Sequence, residues 1–323
     1  MKLHGLHHVT AVTSQAQANV EFYTQVLGMR LVKKTVNQDD VSAYHLFYGD
    51  EMGRAGTELT FFDWAHIGRN HSGVGAISGA ALRVAGQEAL RWWAERLTQH
   101  AVPHSDIVEF HGHAMIRFTD PEGQALALVD DAGAAGGIPW SRSPVPPAYG
   151  VRGLYASTLT VSDLQRTGHV LTAVMGYEQT KTYATGSGER TAVFELNGGG
   201  AGKELYVVEQ PAGRPARLGA GGVHHIAFRV PDADSQLAWR NRLAAAGLAV
   251  TEVIDRYYFK SIYFRIPGGV LFEIATDGPG FTTDEELEHL GERLALPPFL
   301  EPYRAQIEAG LTPLSQGSAG RTG

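Results

Sequence analysis

Two stretches of the chain, GLHHVTAVTS at Gly5–Ser14 and GVHHIAFRVP at Gly222–Pro231, carry the same order of residue types. Each has a glycine, an apolar residue, two histidines and then an alternating apolar run of strand length. Weaker copies, AISGAALRV and GLYASTLTV, begin at Ala76 and Gly153. The four copies lie roughly 70 residues apart, so nearly the whole chain is a fourfold internal repeat.

Each copy continues into a helical pattern and then into further strand-like segments, which predicts a βαβββ unit. In the first unit apolar residues at helical spacing cover Gln15–Leu27, and Gly28 is suited to end the helix. The strand-like segments that follow are Leu31–Val36, Tyr44–Tyr48 and Glu58–Phe62. The helical patterns of the other units lie at Gln87–Gln99, Asp163–Met175 and Asp234–Ala246.

One such unit would expose most of its curved sheet, whereas two units can close around a cavity. We therefore expect an α+β fold in which four βαβββ modules form two paired half-barrel cavities. The proline-rich stretch Ser141–Gly150 is typical of a linker. It predicts an N-terminal domain at 4–140 and a C-terminal domain at 151–277. Residues 278–315 leave the repeat and predict a helical extension, and the terminal SQGSAGRTG is expected to be disordered.

Composition restricts the class of protein. The 323 residues include no cysteine, which excludes disulfide frameworks, thiol nucleophiles and cysteine-ligated metal centres. The formal net charge of −7 argues against a nucleic-acid partner. The start resembles no signal peptide and no long apolar run occurs, so we expect a cytoplasmic protein without a membrane partner. Any bound metal would need histidine and carboxylate ligands.

A fold requires the same residue classes in every copy, so positions where the copies differ are candidates for function. We count from the first residue of each of the four copies quoted above. Three residues later, the first and fourth units have His8 and His225, whereas the second and third have Gly79 and Ala156. Four residues after the glycine that precedes the last strand, only the fourth unit has a carboxylate, Glu273. The other units have Thr60, Ala127 and Tyr206 there.

A glutamate within the apolar run VLFEIA is costly to bury unless it is paired or coordinated. Together, His8, His225 and Glu273 form a facial triad that leaves several metal positions open. Such a triad suits mononuclear non-haem Fe(II), with Mn(II) as an alternative, and zinc can also be bound by this residue set. The two histidines imply that the first and fourth units share the metal cavity, while the second and third form another.

The doublets His7-His8 and His224-His225 leave a choice open. Neighbours on a strand face opposite ways, so only one histidine of each doublet should bind a metal. The repeat register fits the first histidine of each doublet as well as the second. Several other histidines occur in polar or turn-like contexts typical of the surface: His66, His71, His100, His104, His111 and His113.

With GLHHVT, GVHHIAFRV and LFEIATDGPGF, the chain resembles the vicinal oxygen chelate superfamily. Over about residues 4–315 it is most similar to ring-cleaving dioxygenases of hydroquinones, including the stretches YGDEMGRAGTELTFF and GFTTDEELEHLGERLALPPFLEPYR. The resemblance implies Fe(II)- and O2-dependent opening of a small aromatic substrate, with both oxygen atoms incorporated. It also implies that the second histidine of each doublet is the ligand. Supporting catalytic positions carry over to His7, Thr10, His224, Arg256 and Tyr263.

Other enzymes of the same superfamily remain as alternatives. A glyoxalase usually has a fourth protein ligand, for which the alignment offers only Thr60, and metal-dependent thiol transferases are typically half this length. Catechol-cleaving extradiol dioxygenases usually keep all three ligands in the C-terminal half, where Ala156 takes the place of the first histidine. A binding protein without chemistry would have no reason to retain the triad. We also expect a homo-oligomer, with a dimer as the simplest case.

Overall fold

The computed structural model describes residues 1–184 and 189–315, and within them the chain forms four βαβββ modules in series. The expected α+β repeat is therefore confirmed. The terminal segment after Ser315, which we predicted to be disordered, lies outside the described residues. Among the helices of the described ranges, none has the length and apolar character needed to cross a membrane.

The modules are built from the following elements. Module 1 contains β1, α1 and β2–β4: Leu6–Thr13, Ala16–Glu21, Arg30–Asn37, Asp40–Gly49 and Glu58–Asp63. Module 2 contains β5, α2 and β6–β8: Ala76–Val84, Gly86–Gln99, Val108–Phe110, His113–Thr119 and Ala125–Asp130. Module 3 contains β9, α3 and β10–β12: Leu154–Val161, Leu164–His169, Glu178–Ala184, Arg190–Glu195 and Glu204–Glu209. Module 4 contains β13, α4 and β14–β16: Val223–Val230, Ala233–Ala245, Ile254–Asp255, Lys260–Arg265 and Leu271–Thr276.

The helices of modules 1 and 3 differ from the single α-helices that the apolar spacing predicts. Both continue as π-helical turns, at Phe22–Val26 and Val170–Val174. A π turn takes in one more residue than an α turn. The residues that close these turns, Leu27 and Met175, are both buried. The wider turn therefore places an apolar side chain in the core at the end of each helix.

The first strand of each module determines how the modules pair. β1 pairs antiparallel with β13, and β5 pairs antiparallel with β9. Module 1 therefore adjoins module 4, and module 2 adjoins module 3. A short contact between β5 and β13 joins the two pairs into one sheet. Each pair contains one module from before the linker Ser141–Gly150 and one from after it. Each cavity is therefore formed by both of the domains expected at 4–140 and 151–277. The division into these two domains stays a prediction.

The C-terminal extension is helical, as the sequence predicts, and it packs against module 1. It consists of three short 3-10 turns and helix α5: Phe281–Thr283, Leu287–His289, Glu301–Tyr303 and Arg304–Gly310. Lys33 on β2 is fully buried beneath it. The Lys33 Nζ donates to the Phe281 carbonyl at 3.1 Å and to Asp284 Oδ1 at 2.7 Å, and it also pairs with Glu285. These contacts hold the C-terminal extension against strand β2 of the sheet.

Candidate metal centre

β-Bulges position the two histidine doublets. The register of β1 against β13 skips one residue in each strand, His7 and His224. Because a bulge interrupts the alternation of side chains, both members of each doublet lie together. His7 Nδ1 is 2.9 Å from His8 Nδ1, and His224 Nδ1 is 2.7 Å from His225 Nδ1. The expectation that neighbouring histidines face opposite ways is therefore wrong at these two positions.

The bulge belongs to the module as a whole. In the pairing of β5 with β9 the register skips Ser78 and Tyr155, which are the repeat equivalents of His7 and His224. Only modules 1 and 4 have histidines at and after the skipped position. The bulge is therefore a feature of the fold, and the histidines of modules 1 and 4 make it a candidate metal centre only there.

The second histidine of each doublet meets Glu273 in the cavity between modules 1 and 4. His8 Nε2 lies 3.2 Å from His225 Nε2. Glu273 Oε2 lies 2.8 Å from His225 Nε2 and 3.4 Å from His8 Nε2. All three side chains are buried, and the three atoms are close enough to hold one metal ion. The other carboxylate oxygen, Glu273 Oε1, accepts a hydrogen bond from Ser261 Oγ at 2.5 Å.

Hydrogen bonds around His7 indicate which ring nitrogen of His8 is free. His7 Nε2 donates to the Thr276 carbonyl at 3.1 Å, since a carbonyl can only accept. Burial and the nearby His8 lower the pKa of His7 to about 3, so its ring is neutral and its Nδ1 accepts. His8 therefore donates from Nδ1 and directs the lone pair of Nε2 toward Glu273. This arrangement favours the second histidine of the doublet as the ligand.

The charges in the triad fit a metal cation. Burial raises the pKa of Glu273, but His8 and His225 outweigh burial and hold that pKa well below its ordinary range. Burial likewise lowers the pKa of His225, which favours a neutral ring. His225 Nε2 and His8 Nε2 both face Glu273 Oε2 within the triad. An ionised Glu273 among buried groups is stabilised by a positive charge, either a proton on an imidazole or a metal ion held by all three side chains.

A second group of potential ligands, His7, His8 and Glu58, lies beside the triad. His7 Nδ1 is 3.7 Å from Glu58 Oε2. Burial raises the pKa of Glu58 well above its ordinary range, which favours the protonated carboxyl. Because the ring nitrogens of His7 are already engaged by His8 and Thr276, this group suits a metal ion less well than the triad does.

The triad opens into a cavity of about 40 Å³ between modules 1 and 4. Its walls are largely aromatic. The Tyr263 ring lies 5.7 Å from the His225 ring, and the Phe259 ring lies 5.4 Å from the His8 ring. Tyr263 therefore lines the cavity beside His225. Burial raises its pKa above the ordinary value, so the phenol keeps its proton at neutral pH.

Arg256 lies at the rim of the cavity, between the two modules. Its Nη1 and Nη2 donate to the two Asp39 oxygens at 2.9 and 2.8 Å. Asp39 belongs to the turn between β2 and β3, so this pair joins module 1 to module 4. The guanidinium carbon lies 5.7 Å from the centre of the Tyr263 ring, within the range of a cation–π contact.

Thr10 reaches the cavity only through other residues. Its Oγ1 lies 2.8 Å from Thr60 Oγ1, which in turn lies 3.0 Å from His45 Nε2. Thr60, the residue at the place of a fourth ligand, is thus engaged by two hydrogen bonds. Because His45 lines the cavity, Thr10 and Thr60 support its wall.

Sequence reasoning missed His45. Burial and the neighbouring His8 and His225 lower its pKa well below the ordinary value, so the ring stays neutral. A signal is present on the third strand of each module. At the matched register the other modules have Met115, Thr191 and Ser261, so only module 1 has an imidazole there.

Two histidines assigned to the surface lie instead beside the cavity of modules 2 and 3. His111 is 5% exposed, and burial lowers its pKa to about 4. His113 Nε2 lies 3.2 Å from Glu204 Oε2. The surface prediction is wrong for His111, because the turn between β6 and β7 folds inward and places its ring 4.6 Å from the Tyr206 ring. His113, the first residue of β7, is half-buried.

The sequence also matches a known family. A model described as "Glyoxalase/Bleomycin resistance protein/Dioxygenase superfamily" matches residues 5–128 and 154–274. The chain belongs to this superfamily. The two matched ranges cover modules 1 and 2 and modules 3 and 4, which agrees with the βαβββ repeat and with the resemblance noted from the motifs.

Within the superfamily, related chains match along almost their full length. The chain is 46% identical over 316 residues to "Putative ring-cleaving dioxygenase MhqA" of Bacillus subtilis, covering 97% of this chain and 100% of the relative. It is 35% identical over 314 residues to "Chlorohydroquinone/hydroquinone 1,2-dioxygenase" of Sphingobium indicum, covering 95% of each. A crystal structure of a "putative dioxygenase" from Bacillus subtilis superposes with a TM-score of 0.90 at 39% identity, covering 97% of this chain and 98% of the other.

Proposed function

We propose that the protein is a ring-cleaving dioxygenase that binds Fe(II) through His8, His225 and Glu273 and opens a hydroquinone-type ring. The observation that carries the proposal is the buried triad in a cavity with aromatic walls. The printed names of two relatives support ring cleavage, and one of those names includes hydroquinone. A cytoplasmic location and a homodimer remain predictions.

Three protein ligands leave several coordination positions free on a mononuclear metal ion. Fe(II) held by His8, His225 and Glu273 would supply the Lewis acidity that favours a phenolate and the redox chemistry that ring cleavage with O2 requires. Mn(II) shares these ligand preferences and is the alternative metal. His7 and His224 hold the ligand imidazoles through their Nδ1 atoms, an arrangement that fixes ring orientation in metal sites.

The other cavity residues bind and orient the ring. A hydroquinone has its hydroxyl groups on opposite sides of the ring, so only one can reach the metal. The second needs protein partners, and we assign this role to Tyr263 and Arg256. Tyr263, with a raised pKa, is a proton donor at neutral pH, and it can donate to a substrate oxygen or exchange a proton with it. Phe259 and Phe62 cover the ligand histidines and exclude water.

Access to the triad requires the cavity to widen. A cavity that holds benzene measures roughly 150 Å³, whereas this one measures about 40 Å³. The pair Asp39–Arg256 closes its rim, and the Asp39 side chain is 70% exposed. We infer that the ring enters as this pair opens, after which Arg256 is free to contact the substrate.

Oxygen uptake tests the proposal. The protein is purified without oxygen, reconstituted with Fe(II), and given substituted hydroquinones or catechols in an oxygen electrode. We expect uptake with hydroquinones, slow turnover or inhibition with catechols, and both atoms of 18O2 in the product. Faster turnover of catechols would favour the catechol-cleaving alternative. If iron binds and neither class consumes oxygen, the glyoxalase or thiol-transferase alternative takes its place.

The phenol of Tyr263 provides a second test. If its hydroxyl takes part in proton transfer, Tyr263→Phe should lower turnover about 10²-fold or more while iron content stays unchanged. Tyr257→Phe is the matched control, because Tyr257 lies on the same segment but does not line the cavity. Equal turnover in the two variants would contradict the role of Tyr263.

A further inference from the structure

Modules 2 and 3 line a second cavity that is open to solvent, here called the module 2/3 cavity, with a volume of about 660 Å³. It is the repeat counterpart of the metal cavity. Gly79 takes the place of His8 and Ala127 takes the place of Glu273, so the space that ligand side chains fill between modules 1 and 4 is open here. Small-molecule sites have volumes of roughly 300–1,000 Å³ and mostly apolar walls with a few polar groups.

One cationic side chain lines this cavity. Arg117 on β7 lies opposite Ala127, as Tyr263 lies opposite Glu273 in module 4. Its guanidinium carbon lies 5.2 Å from the centre of the Phe110 ring. Across residues 1–184 and 189–315 no carboxylate forms an ion pair with Arg117. The metal cavity has a phenol at this register position, whereas the module 2/3 cavity has a positive charge.

The remaining walls favour an apolar, flat ligand. Met115, Ala81 and Val208 line the cavity together with Ala127. The nearby carboxylate of Glu204 is buried, and Tyr206 and His113 engage its Oε2. This carboxylate therefore does not offset the charge of Arg117 at the cavity surface.

We propose that the module 2/3 cavity binds a planar aromatic carboxylate, with the ring against Met115 and Ala127 and the carboxylate on Arg117. A guanidinium presents a planar fork of donors that matches both oxygens of a carboxylate. Arg117 is exposed, so water solvates its guanidinium when the cavity is empty. A carboxylate would replace that water with a charge-assisted pair, a neutral aromatic molecule would gain no such pair, and a cation would be repelled. The site stands apart from the metal triad and does not depend on the proposed ring-cleaving activity.

The test uses 2-naphthoate as the probe and 2-naphthamide as its uncharged isostere. Met115 lines the cavity, and the chain has only five methionines, so its methyl signal can be assigned with Met115→Leu in protein labelled with 13C at the methionine methyls. We expect 2-naphthoate to shift the Met115 signal in a saturable way. In calorimetry, 2-naphthamide should bind at least tenfold more weakly.

Variants separate the charge from the shape of the cavity. Arg117→Met keeps the aliphatic stem and should weaken 2-naphthoate binding at least tenfold. Arg91→Met removes an exposed arginine of α2 that does not line the cavity and should leave binding unchanged. Ala127→Trp should block binding by filling the cavity. Binding of 2-naphthoate without a shift of the Met115 signal, equal binding of the amide, unaltered affinity in Arg117→Met, or no binding at all would overturn the proposal.

Discussion

At the scale of single residues, two buried glutamates on equivalent last strands have pKa values shifted in opposite directions. Glu273 lies opposite Ala227, two residues after His225, whereas Glu58 lies opposite His8 itself. Glu273 therefore faces two imidazoles that hold its pKa low, while burial raises the pKa of Glu58. Position in the strand register, more than residue type, decides which carboxylate can bind a cation.

This difference leads to a prediction. Glu273→Gln removes the ionised oxygen and should weaken metal binding by more than about 100-fold, because changes to groups beyond the ligands already cost roughly 10–100-fold. Glu58→Gln is the matched control, since Glu58 lies outside the triad and burial favours its protonated form, which the amide mimics. This variant should keep the metal. Metal content per chain and a chelator titration measure both variants. Stoichiometric metal in Glu273→Gln would refute the triad.

Candidate site residues could be predicted from the sequence where the four copies of the repeat can be compared with one another. His8, His225 and Glu273 break the pattern of the other copies, so they could be found without coordinates. The hydrogen bond from His7 to the Thr276 carbonyl joins residues 269 positions apart. No local pattern encodes that contact, and so the sequence left the choice within each doublet open.

At the scale of elements, strand and helix positions followed the apolar spacing closely. The expected strand Tyr44–Tyr48 is the centre of β3, and the helix expected at Gln87–Gln99 is α2. Spacing alone could not reveal the bulges at His7 and His224, because a bulge is a property of two paired strands. These bulges bring the two histidines of each doublet together. The expectation that the two histidines face opposite ways was wrong because it did not include the bulges, which shape the site.

The contact between β2 and the extension gives a prediction about stability. Lys33→Met leaves Asp284 and Glu285 without their buried cation, and breaking a buried ion pair costs about 3–5 kcal/mol. We expect a loss of that size in the free energy of unfolding measured with urea, and faster tryptic cleavage at Arg293. Lys34→Met is the matched control, since the Lys34 Nζ donates to the Glu292 carbonyl at 3.3 Å and forms no ion pair within residues 1–184 and 189–315. Similar losses in both variants would show that Lys33 does not anchor the extension.

At the scale of the whole molecule, the metal cavity depends on residues far apart in the chain. His8 comes from module 1, and His225 and Glu273 come from module 4. The pairing of β1 with β13 brings them together, and β5 with β9 repeats that pairing in the other half. The sequence predicts that modules 1 and 4 share the metal cavity, because the candidate ligands lie in those two modules. The expected domains group modules that are consecutive in the chain. Strand pairing instead joins module 1 to module 4 and module 2 to module 3.

Dividing the chain tests this arrangement. Ser143 and Val145 pack against the N-terminal half, so the cut belongs after Gly150. Alone, the 1–150 half exposes the edges of β1 and β5, and the 151–323 half exposes β9 and β13; unpaired edges favour aggregation. When the halves are co-expressed, we expect them to associate and bind one metal per pair. His8→Ala in the first half should preserve association but abolish metal binding. Stoichiometric metal in the 151–323 half alone would show that this half holds a complete site, because it contains His225 and Glu273 but no counterpart of His8.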